Sequence, residues 1–185
     1  YLTADPWTSE VIRATVAMFQ SYDRTTRIAP SMTSAVAGIL VKWEMSGLPE
    51  DRLVVERIAD VFAQAVNEQG QWRNAMHLNL ATGEGEPVGD QVLESHFFMN
   101  GFGGQHTLVA MAELLQHEGL TAALVRHARW CLSQGKGIMP TLLFANFAAR
   151  QTDAREWLPA IRQAVESWTV NFAQIGGDGP LDELP

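Results

Sequence analysis

The chain has 185 residues, 46% of them hydrophobic, and 13 Lys and Arg against 21 Asp and Glu give it a net charge of −8. That composition suits one globular domain with a full core and excludes a disordered chain, a collagen-like repeat and a disulfide-stapled miniprotein. The longest basic concentration is Arg24 to Arg27, too little to neutralise a run of phosphates, so nucleic acid is not an expected partner. No run of 18 apolar residues exists, so neither is a membrane span.

Asp5-Pro6-Trp7 reads as an N-cap with proline in the first turn, and Val11, Ile12, Val16 and Phe19 continue a helix to about Tyr22. After a polar stretch from Asp23 to Pro30, Ser31 can cap a second helix with Met32, Ala35, Val36, Ile39, Leu40 and Trp43 on one apolar stripe. Ser46-Gly47 stops it, and Pro49-Glu50-Asp51 opens a third helix with acidic residues at its positive end. This pair is an αα-hairpin, and the unit recurs. Leu108, Met111, Ala112 and Leu115 lead to Gly119, with Ala123, Leu124, Ala128 and Leu132 beyond it. Leu142, Ala145, Phe147 and Ala148 lead to Thr152-Asp153, where Asp153 and Glu156 suggest a capping box. Trp157, Leu158, Ile161, Val165, Trp168 and Phe172 follow.

Superposing the three units puts Gly47, Gly119 and Asp153 in the same turn, and matches Ile39, Met111 and Ala145. The pattern predicts an all-α repeat architecture of about seven helices. Residues 1–175 form the helical-hairpin domain and 176–185 a linker or tail. No segment shows convincing strand alternation. The start at Tyr1 without a methionine and the linker-like ending suggest a piece of a longer chain. Cys131, the single cysteine, falls among apolar residues and is expected to be buried. His117 and His127 flank a hairpin turn and are expected at the surface, whereas Trp43, Trp130, Trp157 and Trp168 fall on helical stripes and belong to the core.

Residues 69–103 interrupt the repeat. Gln69-Gly70-Gln71-Trp72-Arg73 begins this segment, Gly83-Glu84-Gly85-Glu86-Pro87 crosses it and Asn100-Gly101-Phe102-Gly103-Gly104 closes it. Loops of this length are usually functional or mobile. This one carries His77 and His96, with His106 directly after it.

The segment from Trp43 to Asp51 between two helices is similar to hairpins of the (α/α) toroid enzymes. The run Glu94-Ser95-His96-Phe97-Phe98-Met99-Asn100-Gly101-Phe102-Gly103-Gly104-Gln105-His106 resembles segments of heparinase II/III-like polysaccharide lyases. The likeness spans residues 5–173 as a repeat pattern and is sharpest at Asn100 to His106. It implies part of an (α/α) toroid acting on an acidic polysaccharide by β-elimination, with no cofactor, in the periplasm or secreted. Such enzymes have a larger toroid and usually a β-sandwich, neither of which fits in this length.

By that resemblance, Asn100 would neutralise the uronate carboxylate as enolate character develops, and His106 or His77 would take the C5 proton. Tyr22 would be the acid. Trp72 and His96 would contact the sugar rings, and Arg73, Arg24 or Arg27 would pair with a carboxylate. Each has a plainer alternative: Asn100-Gly101 is a turn dipeptide, His106 a first-turn residue of a helix, Trp72 a pin for the loop, and the arginines of 24–27 a helix cap. His77, His96 and His106 with Asp90 or Glu94 could supply zinc ligands, but no HExxH or close His/Cys spacing supports a metal, and none is expected.

Two other functions stay open. An α-solenoid interaction module would scatter the histidines and expose an apolar patch on a helix face to a protein or peptide. A glycoside hydrolase on the same toroid would need a carboxylate pair, for which Glu84, Glu86, Asp90 and Glu94 are available. A partial toroid with uncovered end faces is also expected to self-associate.

Overall fold

Apolar residues three and four apart build six helices in the described part of the chain. In this computed structural model that part is residues 23–27, 30–93, 104–134 and 138–175, together with Glu10 and Ala14. The elements are β1 (Asp23–Arg27), α1 (Pro30–Ser46), α2 (Pro49–Ala65), β2 (Arg73–Asn79), β3 (Gly85–Val92), α3 (Gly104–Leu115), α4 (Glu118–Gln134), α5 (Ile138–Gln151) and α6 (Ala154–Ile175). Nearly all of the lead-in helix expected up to Tyr22, the run from Glu94 to Gly103 and the 176–185 tail lie outside the described residues.

The helices pair as α1/α2, α3/α4 and α5/α6, and the pairs stack in two layers. α1 packs on α3 and α3 on α5; α2 packs on α4 and α4 on α6. One hydrophobic core runs through the stack, from Val36 and Ile39 of α1 through Ile58 and Phe62 of α2, Met111 of α3 and Leu124 of α4 to Phe144 and Phe147 of α5. The chain is mostly helical, as the hydrophobic spacing implies.

Each hairpin turn has its own chemistry. At α1/α2, Gly47 takes a positive φ of 62° and its N–H donates to the Trp43 carbonyl at 2.8 Å, the left-handed C-terminal cap that favours glycine. Ser46 Oγ accepts from the Leu48 N–H at 3.2 Å and donates to Asp51 Oδ2 at 2.6 Å, while Lys42 Nζ donates to Asp51 Oδ1 at 2.6 Å. Asp51 is thus a buried clasp between the two helices.

At α3/α4 the left-handed residue is Gln116, with φ 53°, and Gly119 instead sits inside the first turn of α4. His117 caps that helix: its Nδ1 accepts from the Leu120 N–H at 3.0 Å, and its Nε2 donates to Asp60 Oδ1 of α2 at 3.2 Å. A histidine ring can take the Ncap position because its bare nitrogen meets the orphan N–H of the third helical residue. At α5/α6, Asp153 Oδ1 accepts from the Arg155 N–H at 3.0 Å, as its Ncap position predicts. Glu156, the other half of the expected capping box, reaches Arg129 of α4 at 3.5 Å instead.

The sheet is the departure from an all-α reading. β1, β2 and β3 form an antiparallel sheet in that order, with β2 in the centre, so much of the expected long loop is a β-hairpin. Met76, Leu78 and Leu80 are buried, while His77 and Asn79 alternate with them. That is period-two patterning, carried by three apolar residues only. The hairpin tip is tied by Asn79, whose side-chain oxygen accepts from the Ala81 and Thr82 N–H groups, and by Arg57 of α2, which donates to the Thr82 carbonyl at 3.2 Å. The sheet packs on α2 through β2 and β3.

Candidate functional site

Where α2 ends, the chain makes one tight turn before it enters the sheet, and this turn forms a wall of an open groove. Val66 closes α2 in an extended conformation. The Asn67 N–H donates to the Gln71 carbonyl at 2.9 Å, and the Gln71 N–H returns to Asn67 Oδ1 at 2.8 Å. The Gly70 N–H donates to the Asn67 carbonyl at 3.0 Å. Gly70 has φ 85°, and a Cβ built there would stand 2.5 Å from the Arg126 carbonyl oxygen. Only glycine allows the turn to lie this close on the backbone of α4.

The groove has a volume of about 750 Å³ and is lined by Gln64, Val66, Asn67, Glu68, Gln69, Arg73, Asp90 and Arg126. Its walls come from the end of α2, the turn, β2, β3 and α4. Arg73 Nη1 donates to the Gly89 carbonyl at 3.0 Å and to Asp90 Oδ1 at 3.1 Å. Arg126 Nη2 donates to the Val66 carbonyl at 3.5 Å, placing a cation at the negative end of α2. Asp90 is almost fully exposed, so its pairing with Arg73 is easily exchanged for another anion. Two guanidiniums, three carboxamides and the carboxylates of Glu68 and Asp90 make the concavity polar, with Val66 the one apolar residue in its lining.

Beneath the turn lies His127, which is fully buried. The surface position expected for it is therefore corrected. Its helical phase explains why: Leu120, Ala123, Leu124, Ala128 and Cys131 are all buried on the same face of α4. The ring Nδ1 lies 2.7 Å from the Gly70 carbonyl oxygen and so carries the proton, leaving Nε2 to accept from the Cys131 thiol at 3.4 Å. Trp72 and Phe144 meet the ring edge-on at 5.4 and 5.1 Å, and Trp130 stacks on it at 5.7 Å.

The predicted site residues that lie among the described ones fall on different elements. Arg73 lines the groove. Trp72 is fully buried, edge-on to Phe62 at 6.1 Å as well as to His127, so neither indole face is open to a sugar; it pins the segment to the core. His77 lies mid-strand on β2, half-buried, opposite Thr25 of β1 and Glu86 of β3. His106 is exposed in the first turn of α3. Neither histidine is among the residues lining the groove. Arg24 and Arg27 are on β1, opposite Leu78 and Ala75, so a strand stands where a helix cap was the plainer expectation. Asn100, His96 and Tyr22 lie outside the described residues.

Of the acidic residues considered for hydrolysis, Glu84 faces Arg57 at 3.6 Å and Asp90 faces Arg73, both as exposed pairs. Sequence reasoning missed Arg126, Gln64 and Asn67. Arg126 is the polar residue just beside the buried stripe of α4, but nothing in its spacing points to the turn it meets. Among the described residues no helix is long and apolar enough to cross a membrane. Comparison with family models, with curated proteins and with solved structures gives no match.

Proposed function

We propose that this chain is a helical-hairpin domain of the (α/α) toroid type that binds an acidic polysaccharide, with the groove between the Asn67–Gln71 turn and α4 as a uronate subsite. The observation that carries the reading is the pair of guanidiniums, Arg73 and Arg126, in one groove with Gln64, Asn67 and Gln69. A guanidinium binds a carboxylate with two parallel N–H donors, and carboxamides suit ring hydroxyls. The two-layer stack of three hairpins supports the architecture, since stacked αα-hairpins are the unit from which toroids are built. The elimination that the resemblance implies, with Asn100 as neutraliser and His106 or His77 as base, would act on another sugar unit of the same chain, since neither histidine lines this groove.

The test is calorimetric titration with oligogalacturonate and with heparin-derived oligosaccharides, beside ultraviolet detection of an unsaturated uronate product. Binding should weaken about tenfold or more when either Arg73→Ala or Arg126→Ala removes a charge-assisted contact, and it should weaken with added salt. Wild-type protein that ignores both uronate polymers would sink the proposal. Binding without an unsaturated product would remove the lyase chemistry and keep the subsite.

A second reading has one observation of its own. α6 exposes Leu158 at 60% and Val165 at 40%, one face of the last described helix. An interaction module would use such a face for a protein partner. Its signature is loss of a partner with Leu158→Glu while saccharide binding is untouched.

A further inference from the structure

We infer that Asp90 is a built-in competitor for the groove's anion: it occupies Arg73, and an incoming uronate must take that cation from it or share it. The inference rests on the uronate reading for the identity of the incoming anion, and adds the residue that limits its affinity.

An irregularity in the sheet puts Asp90 there. Arg73 pairs with Val92 and Ala75 with Val88, so Asn74 alone stands against Gly89, Asp90 and Gln91. Such a bulge re-aims a side chain, and bulges are over-represented beside functional sites. The Gly89 carbonyl accepts from Arg73 Nη1 at 3.0 Å, and Asp90 Oδ1 accepts from the same nitrogen at 3.1 Å. Among the described residues these contacts hold the guanidinium, and both run through Nη1. The donors on Nε and Nη2 are left for a ligand.

The Asp90 side chain is 97% exposed and that of Arg73 33%, and a pair this wet adds little to the stability of the fold. For a ligand it matters more. A uronate carboxylate that reaches Arg73 either displaces Asp90 from Nη1 or docks on Nε and Nη2 beside it. Displacement costs the existing ion pair; docking beside it sets two carboxylates on one cation, where they repel. Asp90 is tethered next to the residue whose carbonyl holds Arg73, so it competes at a concentration set by the fold rather than by the solution. The Gly89 carbonyl keeps its hold when Asp90 loses its charge, so neutralising Asp90 frees the cation without letting it swing away. Glu68 supplies the comparison: it lines the same groove and is exposed, but is not a partner of Arg73.

The experiment compares wild type, Asp90→Asn and Glu68→Gln with two probes at neutral pH and constant ionic strength. Sodium acetate, the simplest carboxylate, is titrated in exchange for sodium chloride while the NMR signal of the Arg73 Nε–H is followed. Oligogalacturonate is titrated by calorimetry. Asp90→Asn should respond to acetate at about twofold to fivefold lower concentration than wild type, the range expected for an exposed ion pair, and bind oligogalacturonate tighter by a similar factor. Glu68→Gln should gain clearly less on both probes, and the urea midpoint of Asp90→Asn should stay at the wild-type value. Weaker or unchanged acetate binding in Asp90→Asn overturns the inference, because Asp90 would then position Arg73 or do nothing for it. An equal gain in Glu68→Gln also overturns it, since that is general repulsion, as does an Arg73 signal that ignores acetate in every variant. If oligogalacturonate binds none of the three proteins, the saccharide reading fails, and the acetate titration judges Asp90 on its own.

Discussion

Asp51 is a carboxylate that burial alone would push towards a higher pKa. The hydrogen bonds from Lys42 and Ser46, with the Lys42 charge, outweigh that effect and hold it below its ordinary value. The unfolded chain therefore binds this proton more readily than the folded one, and stability rises with pH across the interval between the two values. We expect the clasp to contribute fully at neutral pH. Its contribution should begin to fall as pH drops below the ordinary aspartate range and vanish once pH passes below the folded value. Urea midpoints measured against pH should show that decline in the wild type and a flatter curve in Asp51→Asn. The sequence shows Asp51 only as an acidic first-turn residue of a helix; its capture by Lys42 and Ser46 across the Gly47 turn depends on how the two helices meet.

The turn after α2 and the strands it feeds are the elements that decide the groove. Gly70→Ala should be much more damaging than Gly89→Ala, although both glycines have positive φ. At Gly89, with φ 68°, an added Cβ meets nothing within 4 Å, so the cost is the left-handed backbone alone, about 1–2 kcal/mol. At Gly70 the same backbone cost is joined by a collision with the Arg126 carbonyl. Equal urea midpoints for the two variants would show that the turn does not rest on α4. The helical elements were legible because their apolar residues repeat over about three to six turns, long enough to distinguish a 3.6-residue period. β2 was not, because Met76, Leu78 and Leu80 give only two alternations and β3, with Gly85, Pro87 and Gly89, is largely exposed and carries no apolar alternation. His127 was missed for a different reason. It lies in the middle of α4 rather than beside the hairpin turn, in phase with the buried Leu120, Leu124 and Cys131.

For the molecule as a whole, Trp72 is where sheet and helices share one core. Truncating a large buried aromatic costs about 3–5 kcal/mol, so Trp72→Ala should lower the urea midpoint severely. Trp72→Phe should cost far less, because the buried indole N–H has no hydrogen-bond partner among the described residues and its removal sacrifices nothing polar. A phenylalanine variant as unstable as the alanine one would mean that the N–H is bonded in solution. The stacking of hairpins followed from their spacing in the sequence; the groove did not, since it gathers Gln64, Arg73, Asp90 and Arg126 from four separate elements. The strand order adds a consequence for how the chain assembles. β1 precedes the first helical hairpin, yet its hydrogen-bonding neighbour β2 follows that hairpin. The α1/α2 pair can close on local contacts, and β2 can fold back on β3, but β1 must wait for both. During synthesis it emerges with no ladder to join, and until it docks, one edge of β2 remains open to any other extended segment, including that of a second nascent chain.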